Sequence, residues 1–186
     1  MLVSNMAYVN DVAKSYGDAL FMLAEELSQT EQIKEELNLV CKTLEENPDY
    51  LKLLDTPALS PDERLDLVEK VFGNFNRNLV SLIKILTEKR LAYLIHKIQN
   101  SYLIAYDISR NIERVEAVSA VSLTQDQKDK LVSKLEKITG KQIIVNNTID
   151  PSLLGGMKLR YMGKQIDGSI KTRLDHFEKS LKDLVI

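Results

Sequence analysis

Apolar side chains recur at steps of three and four residues through most of the first 109 positions, and prolines break this pattern into segments. The first such segment runs from Tyr8 to Leu27. Spacing of this kind is typical of amphipathic helices that bury one face. Pro48, Pro57 and Pro61 stand where helices would have to end or begin, because proline is tolerated only in the first helical turn. The first half is therefore predicted to be a series of helices.

Short capping sequences set the expected helix boundaries. Ser28 and Glu31 have the spacing of a capping box, and so do Ser60 and Glu63. Gly73 can close the helix that follows the second box in the left-handed conformation. Six helices joined by short connections predict an antiparallel bundle within residues 7–109. They cover about residues 8–27, 28–44, 47–54, 60–73, 76–89 and 91–109.

Residues 110–186 have a different character, because five of the seven glycines follow position 139. Three runs rich in β-branched or alternating residues predict strands at 114–121, 142–149 and 157–161, and a further short strand returns through Gln165-Ile166 after a turn at Gly163. A capping box at Thr124 opens one helix between the first two strands, and apolar spacing predicts a last helix over 170–184. The order β-α-β-β-β-α indicates a small α/β sandwich. The fold class is thus mainly α with a small α/β part.

Composition excludes several classes of protein. The longest stretch without a charged residue is residues 1–10, whereas a helix needs about 20 apolar residues to cross a bilayer. The first basic residue, Lys14, follows Asp11, which is not the order of a secretory leader or a transit peptide. We therefore expect a cytoplasmic chain. The single Cys41 has apolar neighbours and is expected to be a reduced thiol on a helix.

Charge is distributed unevenly along the chain. Residues 1–109 hold 11 basic and 17 acidic residues, a net charge of −6, while residues 110–186 hold 14 and 10, a net charge of +4. This asymmetry indicates two modules with different neighbours, although two ordinary solvated surfaces would also produce it. The basic residues of the second half are interleaved with acids, so we expect no nucleic-acid binding.

Residue patterns that carry chemistry are missing from the sequence. His96 and His176 are far apart in the chain, and with one cysteine they form no standard zinc set. Gly155-Gly156 precedes an alternating strand and not the helix start that a phosphate site uses. Acid pairs such as Glu45-Glu46 fall on predicted polar helix faces. We therefore expect no enzyme activity, no metal and no cofactor.

Two predicted helices carry more apolar surface than one core contact requires. Apolar residues cover about 160° of the first helix when positions are placed at 100° steps, and the stripe needed to face one core is roughly 100° wide. Phe21 lies outside even this arc, and Val80 and Ile85 flank the core stripe of the fifth helix. Both helices are central in the bundle, or their outer edges form a groove that accepts an amphipathic helix from a partner.

Several short runs, in order, resemble the delta subunit family of F-type ATP synthases, called oligomycin-sensitivity-conferring protein in mitochondria. The likeness extends from about Ala7 to Leu184, and the order and spacing of the runs make it specific. The N-terminal runs are Tyr16-Gly-Asp-Ala-Leu-Phe-Met-Leu-Ala24, Leu53-Leu-Asp-Thr-Pro57 and Leu82-Ile-Lys-Ile-Leu-Thr-Glu-Lys-Arg90. The C-terminal runs are Val118-Ser-Ala-Val-Ser-Leu-Thr124, Thr139-Gly-Lys141, Ile149-Asp-Pro-Ser-Leu-Leu-Gly-Gly-Met157 and Ile166-Asp-Gly-Ser-Ile170.

The resemblance implies a non-catalytic subunit of the peripheral stalk, or stator, at the cytoplasmic face of a bacterial cell membrane. Residues 7–109 would hold the N-terminal helices of alpha subunits, and residues 110–186 would hold subunit b. Such a subunit is a monomer in isolation, is present once per complex, and meets the membrane only through the complex. The edge residues Tyr8, Phe21, Val80 and Ile85 are candidates for the alpha contact, and Leu181, Leu184 and Ile186 for the subunit b contact.

The glycine-rich motif that carries much of the resemblance has a physical interpretation of its own. A turn at Asp150-Pro151 can place Leu153 in the core, and Gly155-Gly156 permit conformations that a Cβ would block. Asp167 and Gly168 can begin the last helix. These residues are expected to make the fold and not to catalyse. The alternative to a stator subunit is a freestanding helical adaptor or regulatory domain, and a small enzyme is a third, weaker reading.

Overall fold

The computed structural model describes the backbone of residues 2–153, 155–161 and 164–168, and the side chains of residues 8–153, 155–161 and 165–168. The chain divides into two compact units, residues 1–107 and residues 108–186. Helix dominates the described part, and a small four-stranded sheet lies in its C-terminal portion. The prediction of a mainly α chain with a small α/β part is thereby confirmed at this level.

The first unit is built from helices joined by short turns. Its helical segments are α1 Leu2–Glu26, α2 Thr30–Glu46, α3 Pro48–Asp55, α4 Pro61–Phe72 and α5 Arg77–Glu88, then a short 3-10 helix, Ala92–Leu94, and α6 Ile95–Ser109, whose end crosses into the second unit.

The core of this unit is mostly aliphatic with a few aromatic rings. Phe21 and Tyr102 meet edge to face with ring centroids 5.6 Å apart, and the Tyr102 hydroxyl donates to the Thr30 carbonyl at 2.8 Å. The buried polar end of Tyr102 is thus satisfied, as a buried hydroxyl requires. Fully buried members of the core include Ile33, Leu37, Leu54, Val68, Phe72, Leu79, Leu86, Leu94, Ile95 and Ile98.

The second predicted capping box of this unit is present, and the first is not. At the start of α4, the Glu63 amide donates to the Ser60 hydroxyl and the Ser60 amide donates to the Glu63 carboxylate. Ser28, by contrast, has a φ of 56° and closes α1, because its amide donates to the Glu25 carbonyl at 3.0 Å. Glu31 instead contacts Lys34 and Tyr106. The box predicted at Ser28 is therefore wrong.

Gly73 also departs from its prediction. Its φ is −60°, in the right-handed region, and its amide donates to the Glu69 carbonyl. The chain continues into a further turn, in which the Phe75 amide donates to the Phe72 carbonyl at 2.9 Å. A right-handed turn of this kind needs no left-handed closing residue, so the predicted closure is wrong.

The second unit contains a four-stranded sheet with one described helix. Its strands are β1 Ile112–Ser119, β2 Gln142–Ile149, β3 Met157–Tyr161 and β4 Lys164–Asp167, and helix α7, Gln125–Thr139, connects β1 to β2. The strand order is β2-β1-β3-β4. β1 pairs with β2 in parallel, and the other two pairs are antiparallel. The predicted helix over 170–184 and the turn at Gly163 lie outside the described residues.

The two faces of this sheet differ in polarity. Val115, Ala117 and Ile143 are buried on one face. On the other face Glu116 accepts from Arg160 at 3.2 Å, between residues that are direct neighbours on β1 and β3. Val118 lies on the same face as Glu116 and is buried as well, so the alternation expected for a strand buried on one side holds from Val115 to Ala117 and not beyond.

Candidate partner-binding site

Helix α1 presents apolar residues both to the core and to solvent. Ala13, Leu20, Phe21 and Ala24 are buried. Other apolar residues of the same helix are exposed, among them Tyr8 at 68%, Met22 at 68% and Leu23 at 38% of their accessible surface. The wide apolar arc predicted for this helix therefore divides into a buried portion and an exposed portion.

Helix α5 is buried around most of its circumference and exposes one narrow stripe. Leu79, Val80, Leu82, Ile83 and Leu86 are buried. Ser81 and Ile85 are exposed, and Asn78 is half-buried. These three residues are spaced by three and four positions, so they lie on one side of the helix.

The exposed parts of α1 and α5 meet in a groove with a volume of about 240 Å³. We call it the α1/α5 groove. It is lined by Tyr16, Ala19, Leu20 and Leu23 of α1 and by Asn78, Ser81, Leu82 and Ile85 of α5. Within the described chain, these lining residues include no carboxylate, amine, imidazole or thiol. The groove is suited to accept an apolar helix face, and no carboxylate, amine or imidazole among its described lining residues stands beside the Tyr16 and Ser81 hydroxyls to activate them.

The structure corrects the position of two predicted contact residues. Phe21 is only 6% exposed because its ring packs on Tyr102 of α6, and Val80 is 7% exposed within the buried side of α5. The edge position predicted for these two residues is therefore wrong. Ile85 does line the groove, and Tyr8 is exposed on α1 without lining it.

Sequence reasoning missed other residues that line the groove. Tyr16, Ala19 and Leu23 follow one another at steps of three and four on α1. The sequence shows that they share a helix face, but only the packing of α6 against the opposite side reveals which edge of the wide arc remains open. Ser81 and Asn78 are polar, so the spacing of apolar residues does not indicate that they line a groove.

The three residues predicted to contact subunit b, Leu181, Leu184 and Ile186, lie outside the described residues. Their proposed role remains a prediction.

The Asp150 turn is held by backbone contacts. The Asp150 side chain accepts from the Ser152 amide at 3.0 Å, and these hydrogen bonds with Ser152 keep the pKa of the Asp150 carboxyl below its usual value. Leu153 is 4% exposed. Pro151 lies within the turn. A structural role accounts for these contacts.

The glycines of the same motif adopt conformations that suit glycine. Gly155 and Gly156 have φ values of 151° and 81°, which other residues rarely adopt. At the end of β4, Asp167 pairs with Lys158 at 3.3 Å, and the Gly168 amide donates to the Met157 carbonyl at 2.9 Å. The cap that Asp167 was predicted to form on a last helix lies outside the described residues.

A second trough, with a volume of about 560 Å³, runs along the other side of α1 against α6. Its lining mixes charges of both signs, including Lys14, Asp18 and Lys97, and the Lys97 ammonium already donates to Asn10 at 2.9 Å. An apolar helix face would desolvate these groups, so this trough fits such a partner less well than the α1/α5 groove.

Among the residues that the structure describes, no group of three or more His, Cys, Asp or Glu side chains is arranged to hold a metal ion. No helix in that part of the chain combines the length and the apolar character needed to cross a bilayer.

Comparison with known proteins gives consistent likenesses. Residues 12–181 match the ATP synthase delta (OSCP) subunit family. ATP synthase subunit delta of Carboxydothermus hydrogenoformans is 35% identical over 170 residues, which cover 91% of this chain and 96% of that protein. ATP synthase subunit delta of Clostridioides difficile is 31% identical over 180 residues, with 95% and 99% covered.

A solved structure extends the likeness to the fold. One chain of the Toxoplasma gondii mitochondrial ATP synthase hexamer matches with a TM-score of 0.67 at 20% identity, covering 91% of this chain and 96% of that chain. At this level of identity the match shows a shared fold.

Proposed function

We propose, from the premise that this chain belongs to the ATP synthase delta (OSCP) subunit family, that it is a non-catalytic stator subunit of an F-type ATP synthase. In this role it links the catalytic head to subunit b, so that ion flow through the membrane drives rotation inside a head that does not turn. The chain works by binding two neighbours, with no cofactor and no reaction of its own.

The α1/α5 groove is the observation that carries the proposal. The N-terminal part, residues 7–109 arranged as a six-helix bundle, would hold the N-terminal helix of an alpha subunit in this groove. An amphipathic helix would place apolar anchors at i, i+3, i+4 and i+7 against Tyr16, Leu23 and Ile85. Tyr8 is exposed on the same helix as the α1 wall, and it would extend the contact beyond the groove.

The C-terminal part, residues 110–186, would hold the end of subunit b as an α/β sandwich. Its net charge of +4 contrasts with the −6 of residues 1–109, which fits two modules with different neighbours. Leu181, Leu184 and Ile186 remain the proposed contact residues, and Leu181 and Leu184 are three positions apart, as neighbours on one helix face are.

A stator must stay attached under torque, and this requirement favours slow dissociation over fast association. A nanomolar contact corresponds to about 12 kcal/mol of binding free energy. Holding two partners within one assembly raises the effective concentration of each contact. Two contacts of moderate strength therefore suffice to keep the subunit attached. One copy serves each complex, and the subunit is a monomer in isolation.

The proposed location is the cytoplasmic face of the bacterial cell membrane, as a peripheral protein. The chain would meet the membrane only through the complex. Co-purification from detergent-solubilised membranes should then bring the alpha, beta and b chains with it, whereas a freestanding adaptor would be recovered without them.

The groove assignment is tested by calorimetric titration of the full chain with a synthetic peptide of the alpha-subunit N-terminus. Leu23→Asp and Ile85→Asp should each weaken binding by tenfold or more, because a carboxylate in the groove would have to be desolvated. Leu39→Asp is the matched control, since Leu39 is 53% exposed on α2 and does not line the groove. Equal affinity for all three variants and the native chain would remove the assignment.

The subunit b contact is tested by deleting residues 182–186. Pull-down of subunit b should fall, while binding of the alpha peptide should be unchanged. Retention of subunit b by the shortened chain would exclude Leu184 and Ile186 from the contact. An ATPase assay on the isolated chain should show no turnover, and measurable turnover would contradict the non-catalytic role.

A further inference from the structure

The two walls of the α1/α5 groove differ in polarity. The α1 wall, which includes Ala19, Leu20 and Leu23, is apolar apart from the Tyr16 hydroxyl. The α5 wall begins with Asn78 and Ser81 and becomes apolar at Leu82 and Ile85. A partner helix that fills the groove therefore meets a polar patch on one wall only. We call Asn78 and Ser81 the polar patch.

The groups of the polar patch are free to bond a partner. Among the residues that the structure describes, neither the Ser81 hydroxyl nor the Asn78 carboxamide bonds another protein group; the Asn78 backbone amide, by contrast, donates to the Asn76 side chain at 3.0 Å. Two other helical serines, Ser15 and Ser101, bond the backbone of their own helix. The Ser15 hydroxyl donates to the Asp11 carbonyl at 2.9 Å, and the Ser101 hydroxyl donates to the Lys97 carbonyl at 3.1 Å.

The spacing of the polar patch lets one partner side chain reach both groups. Asn78 and Ser81 are three positions apart on α5, so their Cβ atoms are about 5–6 Å apart on the same face. Ser81 is exposed and Asn78 is half-buried. Both groups are open to solvent in the free protein, and a bound helix would exclude that solvent.

Covering the polar patch with aliphatic side chains alone would leave two buried polar groups without partners. Each such group lowers the binding free energy by more than one hydrogen bond contributes, because its full desolvation penalty is uncompensated. We propose that the helix bound in the α1/α5 groove places one hydrogen-bonding side chain, Ser, Thr, Asn or Gln, against Ser81 and Asn78, and its aliphatic anchors against the α1 wall. This inference rests on the proposed function.

The polar patch then fixes the register of the partner helix. A shift of one residue rotates a helix face by about 100° and would turn the partner's polar side chain away from Ser81. A uniformly aliphatic helix of the same length would bind more weakly, since it cannot satisfy the patch. The apolar residues of both walls supply affinity, and the polar patch supplies selectivity.

The test is calorimetric titration of the full chain with a peptide of about the first 25 residues of the alpha subunit, long enough to form a helix when bound. Ser81→Val adds apolar surface to the groove and removes the hydroxyl. We expect about tenfold weaker binding, the size that an unpaired buried group produces. Ser133→Val is the control, because Ser133 is also an exposed helical serine, on α7 in the second unit.

An alanine scan of the polar positions of the peptide completes the test. One position should weaken binding to the native chain and have no further effect on Ser81→Val, because the two changes remove the same hydrogen bond. Independent effects at every peptide position would overturn the inference.

The outcomes separate this inference from the proposed function. Equal or tighter binding by Ser81→Val, with binding lost in Leu23→Asp, would show a groove that recognises apolar surface alone; the inference would be wrong and the proposed function would stand. Unchanged binding by both Leu23→Asp and Ile85→Asp would remove the groove assignment and this inference with it, while co-purification with the alpha, beta and b chains would still test the stator role.

Discussion

Gly17 of α1 lies directly against Ser101 of α6: a Cβ built on Gly17 would stand 2.5 Å from the Ser101 Cβ and 2.7 Å from the Ile98 carbonyl oxygen. The two helix backbones therefore cross at a distance that only glycine permits on the α1 side. This crossing holds one side of α1 against α6, where Phe21 reaches Tyr102. A neighbouring face of α1, which carries Tyr16, Ala19 and Leu23, forms a wall of the α1/α5 groove.

Gly17→Ala should destabilise the first unit. In an open helical position this change stabilises a protein by about 0.5–1 kcal/mol, since alanine is the better helix former. Here the added methyl group meets backbone and side-chain atoms, and overpacking of this kind costs about 1–3 kcal/mol. Urea unfolding followed by circular dichroism measures the difference.

The double variant Gly17→Ala with Ser101→Gly is the control for this prediction. It removes the contact at 2.5 Å and keeps the contact with the Ile98 carbonyl, so it should recover part of the lost stability. A single Gly17→Ala variant as stable as the native chain would show that α1 and α6 separate at low cost.

Arg64 is a buried cation that holds the ends of two helices. It is 3% exposed, and its Nη1 donates to the Thr87 carbonyl at 2.8 Å and to the Leu54 carbonyl at 3.3 Å. Leu54 and Thr87 lie in the last turns of α3 and α5. Carbonyls in a last turn lack helical partners and carry partial negative charge, so a guanidinium both satisfies and neutralises them.

Arg64→Met should lower the free energy of unfolding by about 3 kcal/mol, because two charge-assisted hydrogen bonds are lost and the buried Leu54 carbonyl loses its guanidinium donor, while the Thr87 carbonyl keeps the Arg90 amide at 3.2 Å. The stability of Arg64→Lys should lie between that of the native chain and that of Arg64→Met, since an ammonium has a different reach from a guanidinium. Lys70→Met on the exposed side of the same helix is the control and should change stability by less than about 0.5 kcal/mol. Equal effects at the two positions would contradict the role of Arg64.

Features that depend on nearby residues were predictable from the sequence. The capping boxes at Ser60 and Thr124 are present, and the bounds of β2 and β3 were predicted to the residue. The contacts of each capping box lie within three positions along the chain, and the two strands follow from their β-branched or alternating residues, although both pair with the distant β1. Local chemistry is enough to place such elements.

Features that depend on packing were not predictable. Phe21 lies outside the apolar arc of α1, and it is buried because Tyr102, far along the chain, covers it. Ser28 has the residue type and spacing of a cap for α2. Its backbone instead closes α1, because the Ser28 amide donates to the Glu25 carbonyl. The residue type of Arg64 suggests a surface position on an amphipathic helix. Its burial is explained only by the carbonyls at the ends of α3 and α5, to which it donates.

The two capping boxes differ in one titratable group, and this difference gives a pH prediction. The Ser60 amide donates to the Glu63 carboxylate at 2.8 Å, and the Thr124 amide donates to the neutral Gln127 side chain at 3.0 Å. Hydrogen bonds from the backbone and the side chain of Ser60 lower the pKa of Glu63 below its usual 4.5. The contribution of this box is present above the pKa of the unfolded chain, and it is lost as the pH falls through the lowered folded value.

Nuclear magnetic resonance of the two amides from pH 7 to pH 3 checks this prediction. The Ser60 amide shift should follow a titration with a midpoint below that of an unstructured glutamate, and the Thr124 amide shift should show no such step. Glu63→Gln should remove the step at Ser60 and leave Thr124 unchanged. A midpoint at or above the usual value of 4.5 would contradict the hydrogen bonds at this box.

Cys41 should be unreactive in the folded protein. The thiol is 3% exposed and lies 4.0 Å from the Ile95 carbonyl oxygen. Burial, with a smaller effect from the charge of Glu45, raises the pKa of Cys41 to about 12. With this pKa, only about one molecule in 10⁴ carries the thiolate at pH 8, and the thiolate is the form that reacts.

Reaction with an aromatic disulfide reagent should therefore be at least 100-fold slower in buffer than in urea, where the thiol is free. An exposed thiol made by Ser133→Cys in a Cys41→Ser background is the control, and it should react at similar rates in both solvents. A native rate within tenfold of the unfolded rate would mean that the helices around Cys41 open readily.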